Sequence, residues 1–139
     1  MLKVMTEYPN IRVLLVENDE VSVFVLQKIL EKRFTVTVAR NGVEAIQFTH
    51  KKTFDIILLD IDLGHSMDGT EVKDEIRKDP LNDNSKIYAV TGIGLPDDGD
   101  YYEGLGFDDF FHKSVNHIHL VEMIKQECFE KTILNTLSI

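Results

Sequence analysis

A single cysteine, Cys128, in 139 residues rules out an intrachain disulfide and fits a reducing compartment. Basic residues are scarce: 15 Lys and Arg stand against 24 Asp and Glu, a formal net charge of −9. So acidic a chain lacks the basic patch that direct nucleic-acid binding needs, and it favours partners of complementary charge. No apolar run approaches the ~20 residues of a membrane helix. The opening Met1-Leu2-Lys3-Val4-Met5-Thr6 is too short an apolar stretch for a signal sequence. These absences predict a cytoplasmic protein with no membrane insertion, or the cytoplasmic part of something larger. What is present is a 43% hydrophobic chain, of a length that suits one domain with a sizeable core. Cys128 shares an apolar pattern with Val121, Ile124 and Ile133 and reads as a core residue.

Apolar runs alternate with amphipathic stretches. Residues 1–10 read as a short leader ending in a Pro9-Asn10 turn, residues 11–130 as the domain, and 131–139 as a tail or helix extension. Arg12–Val16, Thr35–Ala39, Asp55–Leu59, Lys86–Val90 and Phe107–Phe111 read as strands. Helices are predicted from Asp19 or Glu20 to Lys32, after Asn41, over Thr70–Lys78, from Pro96, and after Asn116. Pro80 closes the third helix region. Five β-α repeats imply a parallel sheet with helices on both faces, and right-handed crossovers place every strand's C-terminal end on one rim. That rim collects Glu17-Asn18-Asp19, Asp60, Thr91 and Lys113.

Asp60 ends the strongest apolar run, Phe54-Asp55-Ile56-Ile57-Leu58-Leu59-Asp60, and Glu17-Asn18-Asp19-Glu20 ends another, Val13-Leu14-Leu15-Val16. If those strands are neighbours, their acidic ends converge. Carboxylates so placed repel one another, and a hard cation such as Mg²⁺ relieves the repulsion. The residues alone therefore predict a metal-assisted site centred on Asp60.

The runs "VLLVEND", "DIILLD", "MDG", "IYAVTG" and "GFDDFFHK" occur in order across about Ile11 to Glu130. In this the chain resembles the receiver domain of two-component response regulators. The resemblance implies an α/β, flavodoxin-like, doubly wound sheet of five parallel strands in order 2-1-3-4-5 with five helices. It implies that Asp60 is a phosphoacceptor served by a sensor histidine kinase or histidine phosphotransfer protein, a switch rather than an enzyme. It implies that Glu17, Asn18, Asp60 and the backbone carbonyl of Asp62 hold Mg²⁺ (or Mn²⁺), with Asp19 a further candidate. It implies that Thr91 and Lys113 contact the phosphoryl group. Phe110 would be the aromatic switch, and the face formed by helix 4, strand 5 and helix 5 would serve readout or homodimerisation.

Four features depart from the family pattern. Asn18 stands where a directly ligating Asp is usual, so the metal site has one charge fewer. The loop after Asp60 has Gly64 where Pro is common, and one extra residue before Asp68-Gly69. Ser114 replaces the proline that usually follows the lysine. A cis Lys113-Ser114 bond would cost ~3 kcal/mol, so either a trans bond with a shifted loop or a strained cis bond is expected. Phe110 lacks the hydroxyl of the more frequent Tyr.

Two other functions compete. Asn18 motivates a phosphate-independent pseudo-receiver. Asp60-Ile61-Asp62 also resembles the nucleophile motif of haloacid-dehalogenase-type phosphatases, but Gly64 stands where Thr is usual, the motif follows the third strand, and no room remains for a cap domain. Asp68 reads as an N-cap. His117 and His119, two apart on a helix, splay from each other and read as solvated. His65 and His112 lie near the site and are candidate modulators of phosphoryl lifetime.

Overall fold

The computed structural model describes residues 5–61, 67–95 and 97–137, with side chains through residue 133. Five parallel strands form one sheet in the order β2-β1-β3-β4-β5. They are β1 (Tyr8–Val16), β2 (Phe34–Ala39), β3 (Ile56–Asp60), β4 (Lys86–Thr91) and β5 (Asp109–His112). The helices are α1 (Glu20–Glu31), α2 (Gly42–Lys51), α3 (Gly69–Arg77), α4 (Gly99–Gly104), α5 (His117–Glu127) and α6 (Phe129–Leu137), with a 3-10 turn at Pro80–Asn82.

Side chains alternate across each strand, and here both faces are covered. Val13, Leu15, Ile56, Leu58, Tyr88, Val90 and Phe111 face Leu26 and Leu30 of α1 and Leu120, Val121 and Ile124 of α5. Leu14, Val16, Ile57, Leu59, Ile87 and Ala89 face Ala45 of α2 and Val72 and Ile76 of α3. Burial on two sides is why the strands read as continuous apolar runs. The starts of α1, α2, α3 and α5 are capped by short polar side chains. Asp19 accepts Ser22 N–H, Asn41 accepts Glu44 N–H, Asp68 accepts Glu71 N–H and Asn116 accepts Ile118 N–H.

Three boundaries differ from expectation. Residues 8–10 are strand rather than turn, and the register against β2 shifts between Tyr8 and Arg12. Pro9 is tolerated because the β1–β3 pairing begins only at Val13, so no ladder bond from Pro9 is needed on that side. β5 starts at Asp109 rather than Phe107, since Asp108 is spent on a turn: its N–H donates to Ile87 O at 2.9 Å, and its carboxylate accepts Ile87 N–H at 2.8 Å and pairs with Arg77. The C-terminal stretch forms a sixth helix. It breaks from α5 at Cys128 (φ −102°, ψ 32°) and is tied down by an ion pair of 2.8 Å between Lys131 Nζ and Asp55 Oδ1. Cys128 packs half-buried against the core, and burial pushes its thiol up to about 12, which keeps it protonated and unreactive. The Pro96 expectation lies outside the described residues.

Gly69 opens α3 directly beneath the site. A Cβ there would lie 2.8 Å from Ile61 Cα and 3.3 Å from Asp60 O. Since backbone must give way, Gly69→Ala is expected to cost about 2–3 kcal/mol and to disturb Asp60. Denaturant unfolding combined with amide shifts at Leu59–Ile61 checks this; an unchanged midpoint would show that the chain relaxes freely.

Candidate functional site

The rim is assembled by strand register. Val16 pairs with Leu59, so Glu17 and Asp60 are the next residues along two adjacent strands. Asp60 pairs with Val90, which puts Thr91 one step beyond, and Thr91 pairs with His112, which puts Lys113 next to it. The backbone N–H of Lys113 donates to Thr91 O at 2.8 Å. Glu17, Asp60, Thr91 and Lys113 therefore meet at one end of the sheet, although 96 positions separate the first from the last (113 − 17).

Glu17 is fully buried and Asp60 is 5% exposed. Lys113 Nζ lies 2.6 Å from Glu17 Oε2 and 3.4 Å from Asp60 Oδ2, and it donates to Ser22 Oγ at 3.4 Å. Burial pulls the Lys113 ammonium down, but contact with Glu17 and the charge of Asp60 outweigh it and hold its pKa above the ordinary lysine value. The second oxygen of Glu17, Oε1, accepts the Asp19 N–H at 3.1 Å. Among the described residues the one close partner of Glu17 Oε2 is the Lys113 ammonium.

Asn18 is exposed beside Glu17. Asp19 is exposed too, and its carboxylate is engaged as the α1 cap. The Ser22 amide bonding to it is the main cause that holds its pKa below the usual carboxylate value. Thr91 is buried, and its hydroxyl oxygen accepts Ile93 N–H at 3.0 Å. Phe110 is half-buried and stacked on Tyr102 of α4, with ring centroids 4.8 Å apart and planes at 11°. Asp62 and His65 lie outside the described residues. The Lys113-Ser114 bond is trans, and Ser114 N–H donates to His112 Nδ1 at 3.1 Å.

Mg²⁺ asks for oxygen ligands, keeps several waters and needs only one or two carboxylates. Among the described residues no group of three or more His, Cys, Asp or Glu side chains converges to hold an ion. The buried Glu17 Oε2, beside the Asp60 carboxylate, meets the lighter demand of Mg²⁺, so the residues present fit that ion.

Sequence reasoning missed Ser22 and the His112–Ser114 contact. Ser22 carries one signal in hindsight: it lies three residues after the α1 cap, on the turn that faces the rim. The ring geometry of His112 has no sequence signature.

The response regulator receiver domain family matches residues 13–125. The chain is 35% identical over 120 residues to the aerobic respiration control sensor protein ArcB of Escherichia coli, covering 85% of this chain and 15% of that protein. It thus spans only a small part of that relative. Among solved structures, a CheY-like response regulator receiver domain protein of Methanospirillum hungatei is 29% identical with a TM-score of 0.74, covering 87% of this chain and 95% of that one. The receiver domain of sensor histidine kinase PA1611 of Pseudomonas aeruginosa, which has a magnesium ion coordinated in its active-site cleft, is 26% identical with a TM-score of 0.73, covering 83% and 94%. Among the described residues no helix is long and apolar enough to cross a membrane. With this sheet order, this rim and a family match across most of its length, the chain belongs to the response regulator receiver domains of two-component signalling.

Proposed function

We propose that Asp60 accepts a phosphoryl group from a phosphohistidine on a sensor kinase or phosphotransfer protein, in a Mg²⁺-dependent reaction that switches a protein-binding face. The observation that carries this reading is the buried Asp60 carboxylate at the end of β3, flanked by Glu17 and Lys113. One Asp60 oxygen attacks phosphorus, the P–N bond to the donor imidazole breaks, and an acyl phosphate P–O bond forms. Glu17, Asn18 and Asp60, with the Asp62 carbonyl that the family pattern implies, would hold Mg²⁺, which when bound would neutralise charge at the phosphoryl oxygens. Lys113 leans toward the same oxygens as a point charge, and Thr91 offers a hydroxyl once its bond with Ile93 is released. Asp19 caps α1 through Oδ2, which leaves Oδ1 as its candidate ligand atom.

Exposed apolar side chains flank the rim and suit a helical donor. Val21, Phe24 and Val25 of α1 and Ile118 of α5 are exposed, and a groove of about 600 Å³ between these helices reaches Lys113. Ile93, Leu95, Tyr101 and Leu105 are exposed around α4 and supply apolar area for readout or for a second copy. Phe110 would repack beneath that face when Thr91 moves.

The test is incubation with acetyl phosphate across a range of Mg²⁺. The expected result is a mass gain of one phosphoryl group per chain that is labile to hydroxylamine and lost when the metal is chelated. No gain at any Mg²⁺ concentration would favour the pseudo-receiver. Sustained turnover of a phosphomonoester would favour phosphatase chemistry.

A further inference from the structure

We propose that His112 is a positioning residue that latches the loop after β4 to the loop after β5 and so holds Thr91 in its resting arrangement. The consequence for switching rests on the phosphoacceptor reading; the latch itself does not.

His112 is 7% exposed, and its ring is bonded on both sides. The backbone N–H of Ser114 can only donate, so Nδ1, 3.1 Å away, carries the lone pair. The Ser114 hydroxyl lies 2.7 Å from the same nitrogen. The Gly94 carbonyl can only accept, so Nε2, 3.1 Å away, carries the hydrogen. The imidazole therefore spans two loops, one following Thr91 and one containing Lys113. A proline at position 114 would have no N–H to give to Nδ1. Ser114 and His112 thus form a matched pair, and the departure from the family pattern at 114 supplies the donor that the ring needs.

The Gly94 end holds the more consequential loop. Thr91 Oγ1 accepts Ile93 N–H at 3.0 Å, and Leu95 N–H donates to Asp98 Oδ2 at 2.8 Å. Gly94 itself sits at φ +82°, where a Cβ would lie 2.5 Å from Asp98 Oδ2. Turning the Thr91 side chain toward a phosphoryl oxygen gives up its bond with Ile93, and the His112–Gly94 bond ties the same loop in place. The ring also meets Phe110 edge-on, with centroids 6.4 Å apart, so the latch touches the aromatic side chain proposed to move. Bonded at both nitrogens, His112 holds the loop in place rather than acting as a free acid or base at the phosphoryl group.

Two amide variants separate the bonds. A glutamine amide reaches the position of Nε2 and keeps the Gly94 contact, whereas an asparagine amide stops at Nδ1 and loses it. In His112→Asn, hydrogen exchange at the Ile93 and Leu95 amides is expected to rise roughly tenfold, and in His112→Gln to stay within about threefold of wild type. Binding of beryllofluoride with Mg²⁺ should tighten several-fold in His112→Asn. Nitrogen NMR of the wild-type imidazole should show the proton on Nε2. Equal exchange in wild type and both variants would overturn the latch, as would a proton on Nδ1, the one observation that requires no variant to fold. If the wild type takes neither beryllofluoride nor a phosphoryl group, the phosphoacceptor reading falls, while the exchange comparison still decides the latch.

Discussion

Asp60→Asn is expected to take no phosphoryl group from acetyl phosphate at any Mg²⁺ concentration, and at the same time to be more stable than the wild type. The first effect follows from chemistry: a neutral amide oxygen replaces the carboxylate that attacks phosphorus. The second follows from burial. Among the described residues, two buried carboxylates, Glu17 and Asp60, contact the same ammonium, so each adds negative charge that is out of water beside the other. Removing one of them lets Lys113 neutralise Glu17 alone, and a gain of about 1 kcal/mol is the expected size. The stabilisation that Mg²⁺ confers on the wild type should shrink in the variant, because a ligand is lost. Mass spectrometry reads the first effect, and denaturant unfolding with and without Mg²⁺ reads the second. A phosphoryl gain equal to wild type would move the acceptor elsewhere. Loss of acceptance with a marked loss of stability would mean that Asp60 chiefly holds the strand end together.

Lys113→Met should act in the opposite direction on stability. Methionine matches the stem but leaves the fully buried Glu17 without the cation it pairs with at 2.6 Å. Breaking a buried pair from one side costs about 3 kcal/mol, or roughly 10 °C in Tm for a chain of this size. Mg²⁺ should restore part of this loss, and its affinity should rise, because the ammonium and the ion compete for the same Glu17 oxygen. Phosphoryl acceptance should nonetheless slow by about a hundredfold, because the point charge on the phosphoryl oxygens is gone. The pair's contribution also has a defined pH range. Because the folded lysine has a raised pKa, its stabilisation is complete below the ordinary lysine pKa and is lost only as pH rises through the raised value. Calorimetry with Mg²⁺ titration measures all of this except the rate. Unchanged stability together with unchanged Mg²⁺ affinity would show that the 2.6 Å contact contributes nothing in solution.

Much of the frame was legible in the residues because buried parallel strands leave a strong mark. Val13–Val16 and Ile56–Leu59 have no polar position, and their acidic ends could be placed on one rim from the β-α alternation alone. The caps at Asn41, Asp68 and Asn116 were legible for a similar reason, since each is a short polar side chain just ahead of a helix. The less legible features depend on local geometry. Pro9 reads as a strand breaker, and only the absence of a β3 partner at its level makes it harmless. The break between α5 and α6 falls at Cys128, a residue with no helix-ending signature. Lys113 could be placed on the rim but not oriented, and its closer contact is Glu17 rather than Asp60. The cis-or-trans question at Lys113-Ser114 was open for the same reason; the answer, trans, came with a Ser114 N–H turned back onto His112.

The sixth helix bears on where a working fragment can be cut. β3 ends in Asp60, which faces Lys113, and the residue just before the strand begins, Asp55, faces Lys131 of α6 at 2.8 Å. Lys131 Nζ also donates to Asn10 O at 3.3 Å, and Asn10 Nδ2 donates to Lys131 O at 3.2 Å, so α6 joins β1 to β3 at the end remote from the rim. A fragment trimmed at Glu127 would keep every rim residue yet discard the clasp on the opposite end of the two strands that present Glu17 and Asp60. Reporter fusions and domain grafts therefore belong beyond α6, not at the α5 boundary that the family match alone would suggest.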